Sequence, residues 1–236
     1  MVLRCFLGCA LWLSIALSSD AHAASDWQLL REDVQRLCNP ASIAWGGAAL
    51  GAALLARPFD ADVQGPFNNA QVEPLLDMGN RYFDSVHVLP AAAILRIAAR
   101  RWGSAEGDDA SSHLLRALVL ANGMVAPLKV GVGRARPDKS NRLSFPSGHS
   151  ANAFALASVL GHHGGKYAAV TAYAVASFVP IARIHARHHY LSDVVAGAGL
   201  GFLAGWISGC PRKPVALSVS PMPVDGGWGM RVRWLR

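Results

Sequence analysis

Charged side chains are scarce in this chain of 236 residues: Asp, Glu, Lys and Arg make up 16%, against 52% hydrophobic residues. That balance excludes intrinsic disorder, which needs few apolar groups and a high charge density. Gly and Pro, at 23 and 13 residues, follow no triplet period, which excludes a collagen-like chain. Acids are the rarer sign, 15 against 22 Lys and Arg, giving a formal charge of +7 and a pI near 9.7. The excess favours anionic partners, namely phosphorylated small molecules, anionic lipid surfaces or nucleic acid, and does not by itself choose among them. A mean hydropathy of +0.26 is high for a cytosolic enzyme and low for a multi-span transporter. Internal repeats and low-complexity linkers are both missing, so the length points to one large domain or two small ones.

Cysteine is sparse as well, with Cys5, Cys9, Cys38 and Cys210. Residues 1–23 carry one early cation, Arg4, an uncharged run from Cys5 to Ser19, and Ala21-His22-Ala23, the small–x–small pattern of a signal-peptide cleavage site. This predicts a secreted chain cut after Ala23, with an uncleaved anchor as the alternative. Cys38 and Cys210 then remain in an oxidising compartment, where they can pair or stay as small buried thiols.

The remainder divides into a helical domain over residues 24–213 and a tail over residues 214–236. Six apolar blocks rich in Ala and Leu, about residues 41–56, 86–100, 112–128, 151–162, 167–182 and 194–208, predict an all-α, antiparallel bundle of about six helices. In the tail, Val215, Leu217 and Val219 alternate with small or polar residues, Asp225-Gly226-Gly227 offers a turn, and Met230, Val232 and Trp234 alternate again. That predicts a short C-terminal β-hairpin. The uncharged stretches Tyr167–Ala182 and Val194–Cys210 reach only about 24–26 Å as helix, at the short edge of a bilayer span. Arg96 and Arg100 on the second block are awkward in lipid. A periplasmic or envelope bundle is therefore expected, with an integral inner-membrane protein as the alternative.

Cations, small donors and histidines concentrate in three segments: Lys129 to Arg136-Pro137, Pro146-Ser147-Gly148-His149, and Arg183 to His189 and Asp193. Up-and-down helices bring Lys129, His149, Arg183, His189 and Asp193 to one end of the bundle. A phosphoryl group in transit carries charge on three oxygens, so fixed cations and N–H donors suit it. Lys129, Arg136 and Arg183 supply charge, the two arginines as planar forks. Ser147 and Gly148 open a helix whose first N–H groups face an anion. Asp193, one turn after His189, can hold a proton on one ring nitrogen and leave the other to attack phosphorus. His149 then protonates the leaving oxygen and afterwards activates water.

In order and spacing these segments resemble the signature of the type 2 phosphatidic acid phosphatase superfamily, which includes bacterial acid phosphatases, lipid phosphatases and vanadium haloperoxidases. The resemblance implies the same roles for Lys129, Arg136, Ser147, Gly148, His149, Arg183, His189 and Asp193. Ala182 stands where that family often has Ser, and Leu191 where it often has Pro. The expected function is a metal-independent phosphoric ester hydrolase, using no cofactor and a phosphohistidine at His189. Its substrates would be phosphate monoesters, phospholipids or polyprenyl phosphates, with no nucleic acid partner. A vanadium-dependent haloperoxidase and a non-catalytic envelope module binding phosphate-bearing lipid are the alternatives. His185, His188 and His189 have metal-ligand spacing, but Arg183 and Arg187 repel a cation, so no metal is expected there. His162 and His163 read as surface or loop residues.

Overall fold

The computed structural model describes residues 21–64, 76 and 82–210, and the backbone of 217–224 and 227–234; the signal peptide expected over residues 1–23 lies outside them except for its last three residues. Among the described residues six α-helices form the body: α1 Ala21–Arg36, α2 Pro40–Ala56, α3 Ser85–Trp102, α4 Ala105–Val132, α5 Gly148–His185 and α6 Leu191–Gly209. The blocks expected at 151–162 and 167–182 are the two limbs of α5, broken at Gly165 with φ 75° and ψ −170°. The break reverses the chain. A Cβ on Gly161 would stand 2.9 Å from that of Ala169, and the rings of Phe154 and Tyr173 meet at 5.9 Å, contacts that a continuous helix cannot make. The limbs are therefore antiparallel, and Arg183 returns to the end where His149 starts.

Local chemistry sets the boundaries. Asn39 caps α2 by accepting from the Ala41 N–H, with Pro40 at its first position. Ser104 accepts from the Gly107 N–H and starts α4 seven residues earlier than the apolar pattern predicts, absorbing most of the charged connection. The left-handed Gly133, φ 56°, ends α4.

Packing around α6 depends on bare backbone. Gly197, Gly201 and Gly205 recur every four residues, so they share one face. A Cβ there would lie 2.2 Å from the Ser147 carbonyl, 2.1 Å from that of Ala151 and 2.4 Å from the Ser158 Cβ. The first limb of α5 thus lies directly against α6, backbone on backbone. Leu89, Leu115, Leu118, Ala121, Ala155, Leu203 and Ile207 complete the shared core.

α1, which the apolar pattern did not predict, is held by charge. Asp26 and Asp33 are seven residues apart, on one face. Asp26 accepts from Arg96 Nε and Nη2 at 3.0 and 3.2 Å, from Arg100 at 2.5 Å and from Ser112 at 3.1 Å. Asp33 pairs with the buried Arg116. Arg96, expected to be a liability in lipid, is only 4% exposed and satisfied inside the bundle. Cys38 and Cys210 are free thiols, Cys38 exposed in the turn after α1, although the two helix ends meet where Arg36 donates to the Cys210 carbonyl at 3.1 Å.

The outward surface is apolar. Leu55, Ile94, Val170 and Val175 are all more than half exposed. By length and composition α4, α5 and α6 are candidate membrane spans, α5 as the two limbs of a hairpin.

Candidate active site

Three chain segments close over the end of the bundle where α4 stops and where α5 and α6 begin. The loop from Arg134 to Ser147 is pinned at both rims: the Ser144 N–H donates to the Arg134 carbonyl at 3.0 Å, and the Asp138 N–H to the Arg187 carbonyl at 3.0 Å. The Ser147 N–H donates to the Asp193 carbonyl at 2.9 Å, locking the start of α5 to the start of α6. Ser147 caps α5, its hydroxyl accepting from the Ser150 N–H. Gly148 is the first helical residue, and a Cβ there would face the Lys129 side chain at 3.8 Å. His149 follows, half-buried, on the first turn.

Asp193 is the hub. It is fully buried and accepts from Ser144 Oγ at 2.5 Å, from the Tyr190 N–H at 2.9 Å and from Arg134 at 2.7 Å. The bond from Tyr190 makes Asp193 half of a capping box that orients the first turn of α6. The His189 Nδ1 faces Asp193 Oδ2 at 3.8 Å, and the imidazole is 1% exposed. The His189 N–H reaches back to the Arg183 carbonyl at 3.4 Å, so the last turn of α5 positions the ring.

Electrostatics follow from this crowding. Lys129, Arg136 and Arg183 lie close enough to repel one another, with Asp84, Asp138 and Asp193 opposing. Burial first, and then Lys129, Arg183 and Arg136, push the His189 pKa down to about 3, against the pull of Asp193. The imidazole is neutral at physiological pH, as a nucleophile requires. Burial also lowers Arg136, and its buried Nε finds no hydrogen-bond partner among the described residues. A cluster of buried donors and cations at one end of the bundle is a place for an oxyanion.

The site residues expected from sequence occupy this end together: Lys129, Arg136, Ser147, Gly148, Arg183, His189 and Asp193 through the contacts above, and His149 beside Gly148. Four more residues join them. Arg134 bridges Asp193, Ser192 Oγ and Asp60, each at 2.7 Å, and lies over the Tyr190 ring at 3.9 Å. Burial works against its charge, but Asp60 and Asp193 outweigh it and raise Arg134 above the ordinary arginine value. Asp60, buried, also accepts from the Ser192 N–H and hydroxyl at 2.8 Å. Ser144 bonds Asp193, and Asp84 faces the three cations. Arg134 lies inside a segment already marked by its cations and Ser144 just before the Pro146–His149 segment, whereas Asp60 lies in a stretch with no local signal.

Residues 111–211 match the model of the PAP2 superfamily. A lipid A 1-phosphatase from Porphyromonas gingivalis is 39% identical over 117 residues, covering 47% of this chain and 25% of that protein. The chain thus spans about a quarter of the length of that curated relative. The crystal structure of Aquifex aeolicus LpxE shares the fold with TM-score 0.51 and 23% identity, covering 66% of this chain and 92% of the other. So does the transmembrane PAP2-type phosphatidylglycerolphosphate phosphatase from Bacillus subtilis, with TM-score 0.51, 21% identity, and coverage of 78% and 92%.

Proposed function

We propose that the chain is a member of the PAP2 superfamily, whose model matches residues 111–211, and an integral membrane phosphatase of lipid phosphates that works through a phosphohistidine. The observation that carries this reading is the neutral, buried His189 held against Asp193 with Lys129, Arg136 and Arg183 around it.

Asp193 engages Nδ1, which leaves Nε2 of His189 as the attacking atom. A P–N bond forms as the bond from phosphorus to the lipid oxygen breaks, and His149 gives that oxygen its proton. Lys129, the two arginine forks and the first N–H groups of α5 take the charge on the equatorial oxygens. Neutral His149 then takes a proton from water. The water oxygen bonds phosphorus, the P–N bond breaks, and inorganic phosphate leaves with His189 restored. The fixed cations supply the positive field, so no step in this scheme calls for a metal.

A lipid substrate is supported by an apolar cavity of about 750 Å³, lined by Phe83, Leu114, Leu156, Ala172 and Val175 between α3, α4 and α5. Its Phe83 edge adjoins Asp84, so a headgroup at the cations and an acyl chain along the helices suit one molecule. A membrane position is supported by α4, α5 and α6 and by the apolar outer surface. Aromatic residues stand exposed at both ends, Trp102 and Tyr167 at one, Phe59 and Tyr82 at the other, as interfacial anchors do.

Two finer readings belong here. The C-terminal tail carries a β-hairpin, supported by backbone pairing of Leu217–Val224 with Gly227–Trp234, Leu217 opposite Trp234. Residues 1–23 are a cleaved signal, supported by their composition; helix α1 begins at Ala21, across the expected cut.

The test is full-length protein in detergent assayed against a lipid A 1-phosphate, phosphatidylglycerophosphate, phosphatidic acid, a polyprenyl diphosphate and a soluble monoester. Turnover of a lipid phosphate that His189→Ala abolishes, with the melting transition retained, supports the reading. Undiminished turnover in that variant overturns it.

A further inference from the structure

At the end of the bundle away from the site, three histidines from two helices converge. His113 lies on α4; His162 and His163 close the first limb of α5, just before Gly165. Their ring centroids are 5.0–5.2 Å apart in all three pairings. One nitrogen from each ring lies within 4.8 Å of the other two. His162 and His163 are exposed, in line with the surface or loop position expected of them, and meet the buried His113, some 50 positions away in an apolar run.

The surroundings are built for this arrangement. His113 is 2% exposed, and its Nε2 lies 2.9 Å from the Gly205 carbonyl. A carbonyl only accepts, so Nε2 carries the proton and Nδ1 presents a lone pair. A backbone carbonyl holding the far N–H of an imidazole is the usual support of a metal-bound histidine. His113 Nδ1 stands 3.1 Å from His163 Nε2, whereas two nitrogens on one tetrahedral ion at 2.0–2.1 Å would stand about 3.3–3.4 Å apart. Gly209 has no side chain where the rings need space: a Cβ there would lie 2.7 Å from His113 Cε1 and 3.2 Å from His162 Nδ1. Beside His162 a cavity of about 350 Å³, bounded by Gly161, Trp206 and Cys210, leaves room for a fourth ligand.

We propose that His113, His162 and His163 form a binding site for a transition-metal dication of the Zn²⁺ class, with water in the fourth position. Three imidazole nitrogens with no carboxylate among them suit Zn²⁺ and disfavour Mg²⁺ and Ca²⁺, which take oxygen ligands. The ion clamps α4 to the turn of the α5 hairpin, with α6 joined through Gly205. The site is separate from the phosphate chemistry.

The experiment uses full-length protein without a histidine tag, stripped with EDTA in detergent and titrated with ZnSO₄ against a chromophoric chelator. The parent is expected to bind about one equivalent per chain and to melt at a higher temperature with Zn²⁺, because binding to the native state alone stabilises it. His162→Ala/His163→Ala, both exposed positions, is expected to lose at least ~100-fold in affinity and the thermal gain, since two of three ligands are gone. His163→Ala alone is the second variant should the double one fail to melt cooperatively. X-ray absorption of the zinc-loaded parent is expected to give about three nitrogens at 2.0–2.1 Å. The proposal is overturned if the parent takes up no zinc, if the variants bind it as tightly as the parent, or if the coordination shell is oxygen only.

Discussion

A single carboxylate organises the chemistry at the residue scale. Asp193 receives Ser144, Tyr190 and Arg134 and faces His189, so Asp193→Asn should disorient the nucleophile without removing it. Turnover should fall about 10²–10⁴-fold, the range of a lost acid–base partner, with a smaller change in KM; steady-state kinetics in detergent check this. His189→Ala should cost more, about 10⁴-fold or beyond, as for other nucleophile deletions. His189 also makes stability depend on pH. The unfolded imidazole titrates near 6.5 and the folded one near 3, so between these values the unfolded chain binds a proton that the native chain does not. Stability should therefore fall as pH drops from about 6.5 towards 3 and be indifferent to this group above 6.5. Denaturant melts of the parent and of His189→Gln across that window should show a shallower fall in the variant. Cations, serine, glycine and histidines were legible at this scale because they lie in short segments of telling order. Asp60 was not, because its partner Ser192 lies 132 residues away and nothing local marks a carboxylate that will be buried.

Among the elements, α6 is the most constrained. Replacing Gly197 or Gly201 with Ala puts a methyl group against a backbone carbonyl at 2.2 or 2.1 Å, which cannot yield as a side chain can. Each should cost about 1–3 kcal/mol, as overpacking does, read as a lowered melting temperature. Gly197→Ala should also lose activity beyond what stability explains, because the displaced carbonyl belongs to Ser147. The apolar blocks made the bundle helices legible, and the gap between the blocks ending at 162 and starting at 167 matches the break at Gly165. Helix α1 escaped notice because its buried face is acidic. Asp26 and Asp33 find their arginines on α3 and α4, a match that periodicity of apolar residues cannot register.

For the whole molecule, the same ion pairs change the solvent that the exterior implies. Arg96 and Arg100 argued against lipid when read singly; folded, both are paired with Asp26, and Leu55, Ile94 and Val170 face outward instead. The protein should stay with membranes through alkaline carbonate washing and need detergent for release. Recovery in the soluble fraction would instead fit the periplasmic bundle that the marginal lengths of single apolar stretches suggested.

Because α6 touches α5 through carbonyls and glycines, it has no compressible layer along that seam. A strut of this kind cannot absorb a nudge locally: pushing on the turn that holds Gly205 and Gly209 must move the turn that holds Asp193. An event at the distal tip, such as insertion into a bilayer of different thickness, would therefore register at the phosphate end as a change in rate.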